Sequence, residues 1–240
     1  MTFPKTAMVM AAGYGKRLRP LTDTVPKPMV KVLGRPMIDV VLDRLSAAGV
    51  ERVVINLHHL GEVIRDHLKD RRDLEILYSE EPEILETGGG TKKALPLLGD
   101  DPFFTINAKI IWLNGREDTL HRLANAWDDA RMDSLLLLQP TVTAIGYGGP
   151  GDFLLDQEGR ITRRPEWEVA PFLYSGINIT HPRLFEDSPD GAYSVNILWD
   201  RAIEAGRLYG IRHDGEWYHV STPQQLGDVE RELSFHGIKF

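Results

Sequence analysis

Ala11-Ala12-Gly13-Tyr14-Gly15-Lys16-Arg17-Leu18-Arg19-Pro20-Leu21-Thr22, followed after Asp23-Thr24-Val25 by Pro26-Lys27-Pro28, joins an apolar run to a glycine turn and then to a group of cations. Residues 6–12 are almost wholly apolar and lead into glycine, the pattern of a buried parallel strand entering a loop. Backbone N–H groups in a glycine turn can point together at an anion, and a following turn of helix adds positive dipole character. Gly13 and Gly15 supply the turn. Lys16, Arg17 and Arg19 bring charge beside it, and arginine can make paired hydrogen bonds to phosphate. Pro26 and Pro28 hold the neighbours of Lys27 extended, so presenting its ammonium loses little entropy. The stretch therefore reads as a triphosphate cradle, against the blander readings of a solvated charge run at 16–19 and a rigid surface turn at 26–28.

Two familiar phosphate motifs fail here. A dinucleotide fingerprint needs a third glycine where Leu18 stands and an acid after the second strand, where Asn56 and His58 stand instead. The Gly-Lys-Ser/Thr ending of a P-loop is also missing.

Outward from the loop, Pro36 opens a helical spacing of Met37, Ile38, Val40, Val41, Leu42 and Leu45 that closes at Gly49. Residues 53–57 read as a strand and 60–68 as a helix. Strands over 74–78, 102–107 and 135–138, with helices over 91–98 and 120–127, continue the alternation. Such a series implies an α/β fold: a Rossmann-like, mostly parallel sheet with helices on both faces and right-handed crossovers. After about residue 140 glycine and proline become frequent, and strands over 153–155 and 171–179 suggest a β-rich substrate-side elaboration. Helices over 195–205 and 223–233, separated by a short strand ending near His219, close the chain. One domain over 1–240 is expected, with 1–140 mainly nucleotide-binding and 141–240 mainly sugar-binding.

Composition narrows the partners. The chain has 240 residues, no cysteine and a formal charge of −7, which excludes thiolate chemistry and disulfides and argues against nucleic acid, normally met by a basic surface. No run approaches the roughly 18 apolar residues of a membrane span. A cytoplasmic protein is expected, with no reading of oligomeric state.

These residues resemble the sugar-1-phosphate nucleotidyltransferases, whose first strand enters an A-A-G-x-G-x-R-x-x-P-L-T loop followed by P-K-P. Glu86-Thr87-Gly88-Gly89-Gly90, the strand to Asn107, Gly151-Asp152-Phe153, Ser175-Gly176 and Ser221-Thr222-Pro223 extend the likeness along the chain. Its short length and the E-T-G-G-G, G-D-F and V-x-T-P elements are most similar to N-acetylmuramate 1-phosphate uridylyltransferases of cell-wall sugar recycling, with short mannose-1-phosphate guanylyltransferases next. The resemblance implies an NTP and a sugar 1-phosphate as partners, and transfer of a nucleotidyl group with release of pyrophosphate. It implies that Ala11, Ala12, Gly13 and Gly15 hold the phosphates, that Arg17 binds the leaving pyrophosphate with Lys16 as a weaker partner, and that Lys27 meets the α-phosphate. Glu86, Gly88 and Gly89 would face the nucleoside and Asn107 both substrates. Asp152, Ser175 and Gly176 would shape the sugar pocket, and Arg164 would contact the sugar phosphate.

The family commonly binds its Mg²⁺ through an aspartate two residues after the Asn107 position and another before the G-T-P element, where this chain has Lys109 and His219. Replacing an acid by lysine changes the local charge by two units, each worth about 4 kcal/mol against a unit charge at 4 Å and an effective dielectric near 20. Three readings follow, in this order: Lys109 takes the cation's place and Mg²⁺ arrives on the NTP; the chain binds nucleotide sugar without turnover; or Lys109 is solvated and another carboxylate such as Asp152 recruits metal. His219 is the one residue that offers a metal a ring nitrogen there.

Overall fold

Thr6–Met10 lies in the middle of a nine-stranded sheet, because an apolar run with parallel partners on both edges is stable only when both its faces are covered. In the computed structural model, which describes residues 3–240, the first part of the chain runs β1 (Thr6–Met10), β2 (Lys31–Val32), β3 (Arg35–Pro36), α1 (Met37–Ala48), β4 (Arg52–Leu57), α2 (Gly61–Leu68), β5 (Glu75–Glu80), α3 (Glu86–Leu98), β6 (Phe103–Asn107), β7 (Ile110–Trp112) and α4 (Thr119–Ala126). The second part runs β8 (Ser134–Pro140), β9 (Ala144–Ile145), β10 (Phe153–Leu155), β11 (Ile161–Arg163), β12 (Phe172–Thr180), α5 (Asn196–Glu204), β13 (Leu208–Arg212), β14 (Trp217–His219) and α6 (Pro223–Phe235).

β5, β4, β1 and β6 are parallel neighbours, and β12 follows β6 antiparallel. β12 also pairs with β8, which carries β13 parallel to itself, and at Phe172 with β10 of the short β10–β11 hairpin. Side chains of β1 alternate between two cores. Ala7 and Val9 join Ile38, Val41, Leu45, Leu120 and Leu123 of α1 and α4. Met8 joins Ala94, Leu98, Leu198 and Trp199 of α3 and α5. The expected two-sided α/β sheet is thus what forms. A third core, with Leu18, Val30, Val32, Met37, Tyr218 and Val229, packs a small sheet of β7, β14 and β9 beneath α6 and the glycine loop.

Two boundaries differ from the sequence reading. The β-rich stretch after residue 140 is largely continuous with the central sheet, since β12 is buried along most of its length between β6 and β8. Helix α3 begins at Glu86, five residues before the expected start at 91, so the glycine run is its first turns. Glycine is a poor helix former, and packing decides the matter. A Cβ on Gly88 would stand 2.3 Å from the Tyr193 ring, and one on Gly90 would stand 2.6 Å from Glu81 Oε1.

Candidate active site

The carboxyl ends of β1, β4, β5 and β6 open into a cleft of about 530 Å³ lined by the glycine loop, Lys27, Asn56, Glu81, Glu86, Asn107 and Lys109. Parallel α/β sheets present ligand sites at this edge. A buried polar chain sets the loop's departure from β1. Ala11 N donates to Asn56 Oδ1 at 2.6 Å, Asn56 Nδ2 donates to Glu81 Oε1 at 2.7 Å, and Glu81 Oε2 accepts from Leu85 N at 3.0 Å. The strand end, the loop and the entry to α3 are thereby tied to one carboxylate.

Past Ala12 the loop turns at Gly15, whose φ of 64° favours glycine and whose Cβ would crowd Lys27 and Thr22 at 3.0 Å. A single 3-10 turn follows, held by Leu18 N donating to Gly15 O at 2.9 Å. Leu18 is fully buried in the third core and anchors the turn, leaving the charged neighbours outward. They part company there. Arg17 Nη2 donates to Ser221 Oγ at 3.4 Å, the Lys16 ammonium sits 5.1 Å over the Tyr14 ring, and Arg19 pairs with Asp23 at 3.2 Å. Lys27, in a 3-10 turn entered from extended Pro26, donates to the same Ser221 Oγ at 3.4 Å.

Lys109 occupies the turn between β6 and β7, and the pairing of Ile110 with His219 brings it beside β14. Arg17, Lys27 and His219 therefore converge on Ser221, and Lys109 lines the same cleft as Arg17 and Lys27. Burial, then Lys109 and Arg17, push the Lys27 pKa down to about 7. Burial and Arg17 lower that of Lys109. His219 falls to about 4 through burial and then Lys109, Lys27 and Arg17. The His219 ring is consequently neutral near pH 7, and its Nε2 accepts the Ser221 hydroxyl at 2.5 Å.

Residues 6–161 match the family model described as "Nucleotidyl transferase". The chain belongs to the nucleotidyl transferase family. An N-acetylmuramate alpha-1-phosphate uridylyltransferase of Caulobacter vibrioides is 41% identical over 96% of this chain and 98% of its own length. One of that name from Neisseria meningitidis is 34% identical over 93% and 96%. Among solved structures, a UDP-glucose pyrophosphorylase complexed with UDP-glucose superposes with a TM-score of 0.80 over 97% of this chain and 99% of that one, at 18% identity, which speaks for the fold.

In this nucleotidyl transferase the remaining sequence-assigned residues divide. Glu86 lines the cleft in left-handed geometry, with φ 58°, a conformation that costs a non-glycine residue energy and marks functional sites when it persists. Gly88 and Gly89 do not line the cleft; their N–H groups donate to Tyr193 O at 2.9 and 3.2 Å. Asp152 and Arg164 also lie outside its lining. Asp152 Oδ2 accepts from Tyr174 N at 2.9 Å, and Arg164 donates to the carbonyls of Gly151, Pro165 and Glu168. Ser175 is fully buried, while Gly176, at φ 91°, leaves room for Asn107, whose Nδ2 a Cβ would meet at 2.7 Å. Asn107 stands between the cleft and a second cavity of about 220 Å³, lined in part by Thr105, Tyr174, Asn178 and Thr180.

Glu81 escaped the sequence reading, and Ser221 entered it only as part of a family motif, with no role of its own. Glu80-Glu81-Pro82-Glu83 looks like a solvated charge run, yet Glu81 is 3% exposed. A buried-acid signal would have required knowing the β4–β5 register.

Mg²⁺ prefers several oxygen ligands, and the two positions at which the resemblance expects its aspartates present Lys109, which lines the cleft, and a His219 nitrogen already engaged by Ser221. Among the described residues no group of three or more His, Cys, Asp or Glu side chains is placed to hold a metal ion. These residues do not fit Mg²⁺.

The depressed Lys27 value has a consequence for stability. Between about pH 7 and the ordinary lysine range the unfolded chain binds more protons at this position, so Lys27 makes the free protein more stable as pH rises through that window. His219 acts in the same sense between about pH 4 and 6.5, losing stability on acidification. Thermal melts of the protein and its Lys27→Met variant from pH 7 to 9 are expected to show a steeper rise in the parent than in the variant, where Lys109, also lowered, acts alone in the same sense.

Proposed function

We propose that this nucleotidyl transferase family enzyme transfers a uridylyl group from UTP to N-acetylmuramate α-1-phosphate, giving a UDP-sugar and pyrophosphate. The observation that carries the reaction class is the convergence of the glycine loop, Arg17, Lys27 and Lys109 on one cleft. Its uridine and sugar identities draw support from the relatives of that name.

A phosphate oxygen of the sugar 1-phosphate attacks the α-phosphorus of UTP, and the bond to the bridging oxygen of pyrophosphate breaks with its electron pair. Both reactants are anions, so positioning and preorganised positive charge do the catalytic work. In this reading Ala11, Ala12, Gly13 and Gly15 offer backbone to the phosphates, with Lys16 at the mouth. Arg17 neutralises the departing pyrophosphate, and Lys27 and Lys109 face the α-phosphate. Asn107 sits where the nucleotide and sugar sides meet. Asp152, Ser175, Gly176 and Arg164 serve the sugar side by fixing the backbone around β12 and the loop before it. The 1–140 part then mainly carries the nucleotide and the 141–240 part mainly the sugar, with His219 and Ser221 reaching back to the phosphates. A role in cell-wall sugar recycling and a cytoplasmic location accompany the reading; among the described residues no helix is long and apolar enough to cross a membrane.

Incubation with UTP and N-acetylmuramate α-1-phosphate is expected to release pyrophosphate and form the UDP-sugar, measured by chromatography. A preference for GTP and mannose 1-phosphate would move the assignment to the guanylyltransferases, among which one from Aspergillus oryzae is 40% identical over 92% of this chain and 62% of its own length. Lys109 and His219 favour one further reading, a regulatory protein that binds nucleotide sugar without turnover. Ligand-dependent thermal shifts with no product across a panel of NTPs and sugar phosphates would establish it.

A further inference from the structure

We infer that the cleft binds the free triphosphate of a nucleotide without a divalent cation, the Lys109 ammonium supplying from within the protein the charge that a metal would bring. This rests on reading the cleft as a nucleotide site and concerns how that site is charged.

The arrangement is unusual for a protein interior. Lys27 and Lys109 are both partly buried, and the charges that bear on them and on His219 are those of one another and of Arg17. Grouped cations lose solvation and repel, so they persist where a ligand's negative charge repays both terms. Ser221 Oγ, the polar group shared by Arg17, Lys27 and His219, accepts from the two cations and passes its proton toward neutral His219. Ser221 therefore spaces the two cations without neutralising them. Above it the cleft of about 530 Å³ is open, and a Cβ built on Gly13 meets nothing within 4 Å. Cavity, uncovered backbone and an excess of positive charge coincide.

Such a site matches a free nucleoside triphosphate better than its Mg²⁺ complex. The metal removes half of the triphosphate's charge and brings a cation toward Lys109, so each change weakens the attraction. The geometry consequently reverses the usual sign of metal dependence for nucleotide binding.

Titration calorimetry with UTP, in EDTA and then in excess MgCl₂, tests this on the full chain. Binding is expected to persist in EDTA and to weaken about tenfold in MgCl₂, equivalent to roughly 1.4 kcal/mol. Lys109→Met, apolar and of similar length, should fold and lose the EDTA-resistant binding. Lys109→Asp combined with His219→Asp should bind UTP only when Mg²⁺ is present. UTP binding that needs Mg²⁺ in the parent protein, or Lys109→Met that binds UTP in EDTA as tightly as the parent, overturns the inference. EDTA-resistant UTP binding with no UDP-sugar under any condition supports the cation site while refuting uridylyl transfer, so the two can fail separately.

Discussion

Lys27→Met is expected to lower kcat/KM for UDP-sugar formation by about 10²–10³, the loss that follows removal of one preorganised donor from a site where negative charge develops. The ammonium reaches its place through a short turn fixed by Pro26 and Pro28, and Ser221 holds it 3.4 Å away without cancelling its charge. Methionine keeps the length and apolar stem of the side chain, so the substitution isolates the charge. Stability should move the other way. Burial and two neighbouring cations disfavour the charged form of Lys27, and deleting that charge relieves repulsion in the free protein. The variant is therefore expected to melt no lower than the parent at pH 7. A pH profile sharpens the test, because kcat/KM reports ionisations of the free enzyme. With its pKa at about 7, Lys27 is charged below that value and neutral above it, so kcat/KM of the parent should fall as pH rises through about 7. In the variant the part of that limb near pH 7 should be lost, leaving whatever Lys109 contributes. Steady-state kinetics within threefold of the parent would remove Lys27 from the mechanism.

The parts of this molecule that could be read in sequence are those whose causes are local. An apolar run before Gly13 makes β1, and Pro36 and Gly49 bracket α1, with Gly49 at φ 91° closing it by accepting the left-handed turn. The family's motifs pointed to the loop, and Lys16, Arg17, Lys27, Asn107 and Lys109 do line one cleft. What could not be read depends on register between distant segments. Lys109 comes beside His219 because Ile110 pairs with His219 across β7 and β14; the short strand ending at His219 could be read, whereas β7 and the pairing between the two could not. Ser221 matters because that pairing also brings it under Arg17 and Lys27. Glu81 is a surface-looking acid until Leu57 pairs with Glu80 and the next residue turns in beneath Asn56. The glycines at 88–90 carry a different lesson: their composition reads as a loop, whereas close approach of Tyr193, Gly191 and Glu81 is what demands them in a helix.

That distinction predicts opposite outcomes for two alanine substitutions that look alike in sequence. Gly89→Ala would place a Cβ 2.0 Å from the Gly191 carbonyl oxygen, a backbone atom that no rotamer change can move. The segment cannot retreat freely either, since Tyr193 O accepts from both Gly88 N and Gly89 N. Overpacking of this kind costs about 3 kcal/mol, which for a chain of this size lowers the melting midpoint by about 6–12 °C. Gly13→Ala meets nothing within 4 Å, so its midpoint should stay within about 2 °C of the parent, as for other surface changes. Its methyl group, however, would stand in the open cleft against the backbone proposed to face the phosphates, and UTP binding should weaken by tenfold or more, about 1.4 kcal/mol at the least. Scanning calorimetry and UTP titration of both variants separate the two roles. Gly89→Ala melting with the parent would dissolve the packing argument, and Gly13→Ala binding UTP like the parent would place the phosphates elsewhere. One glycine is required by the protein's own backbone, the other by the ligand's.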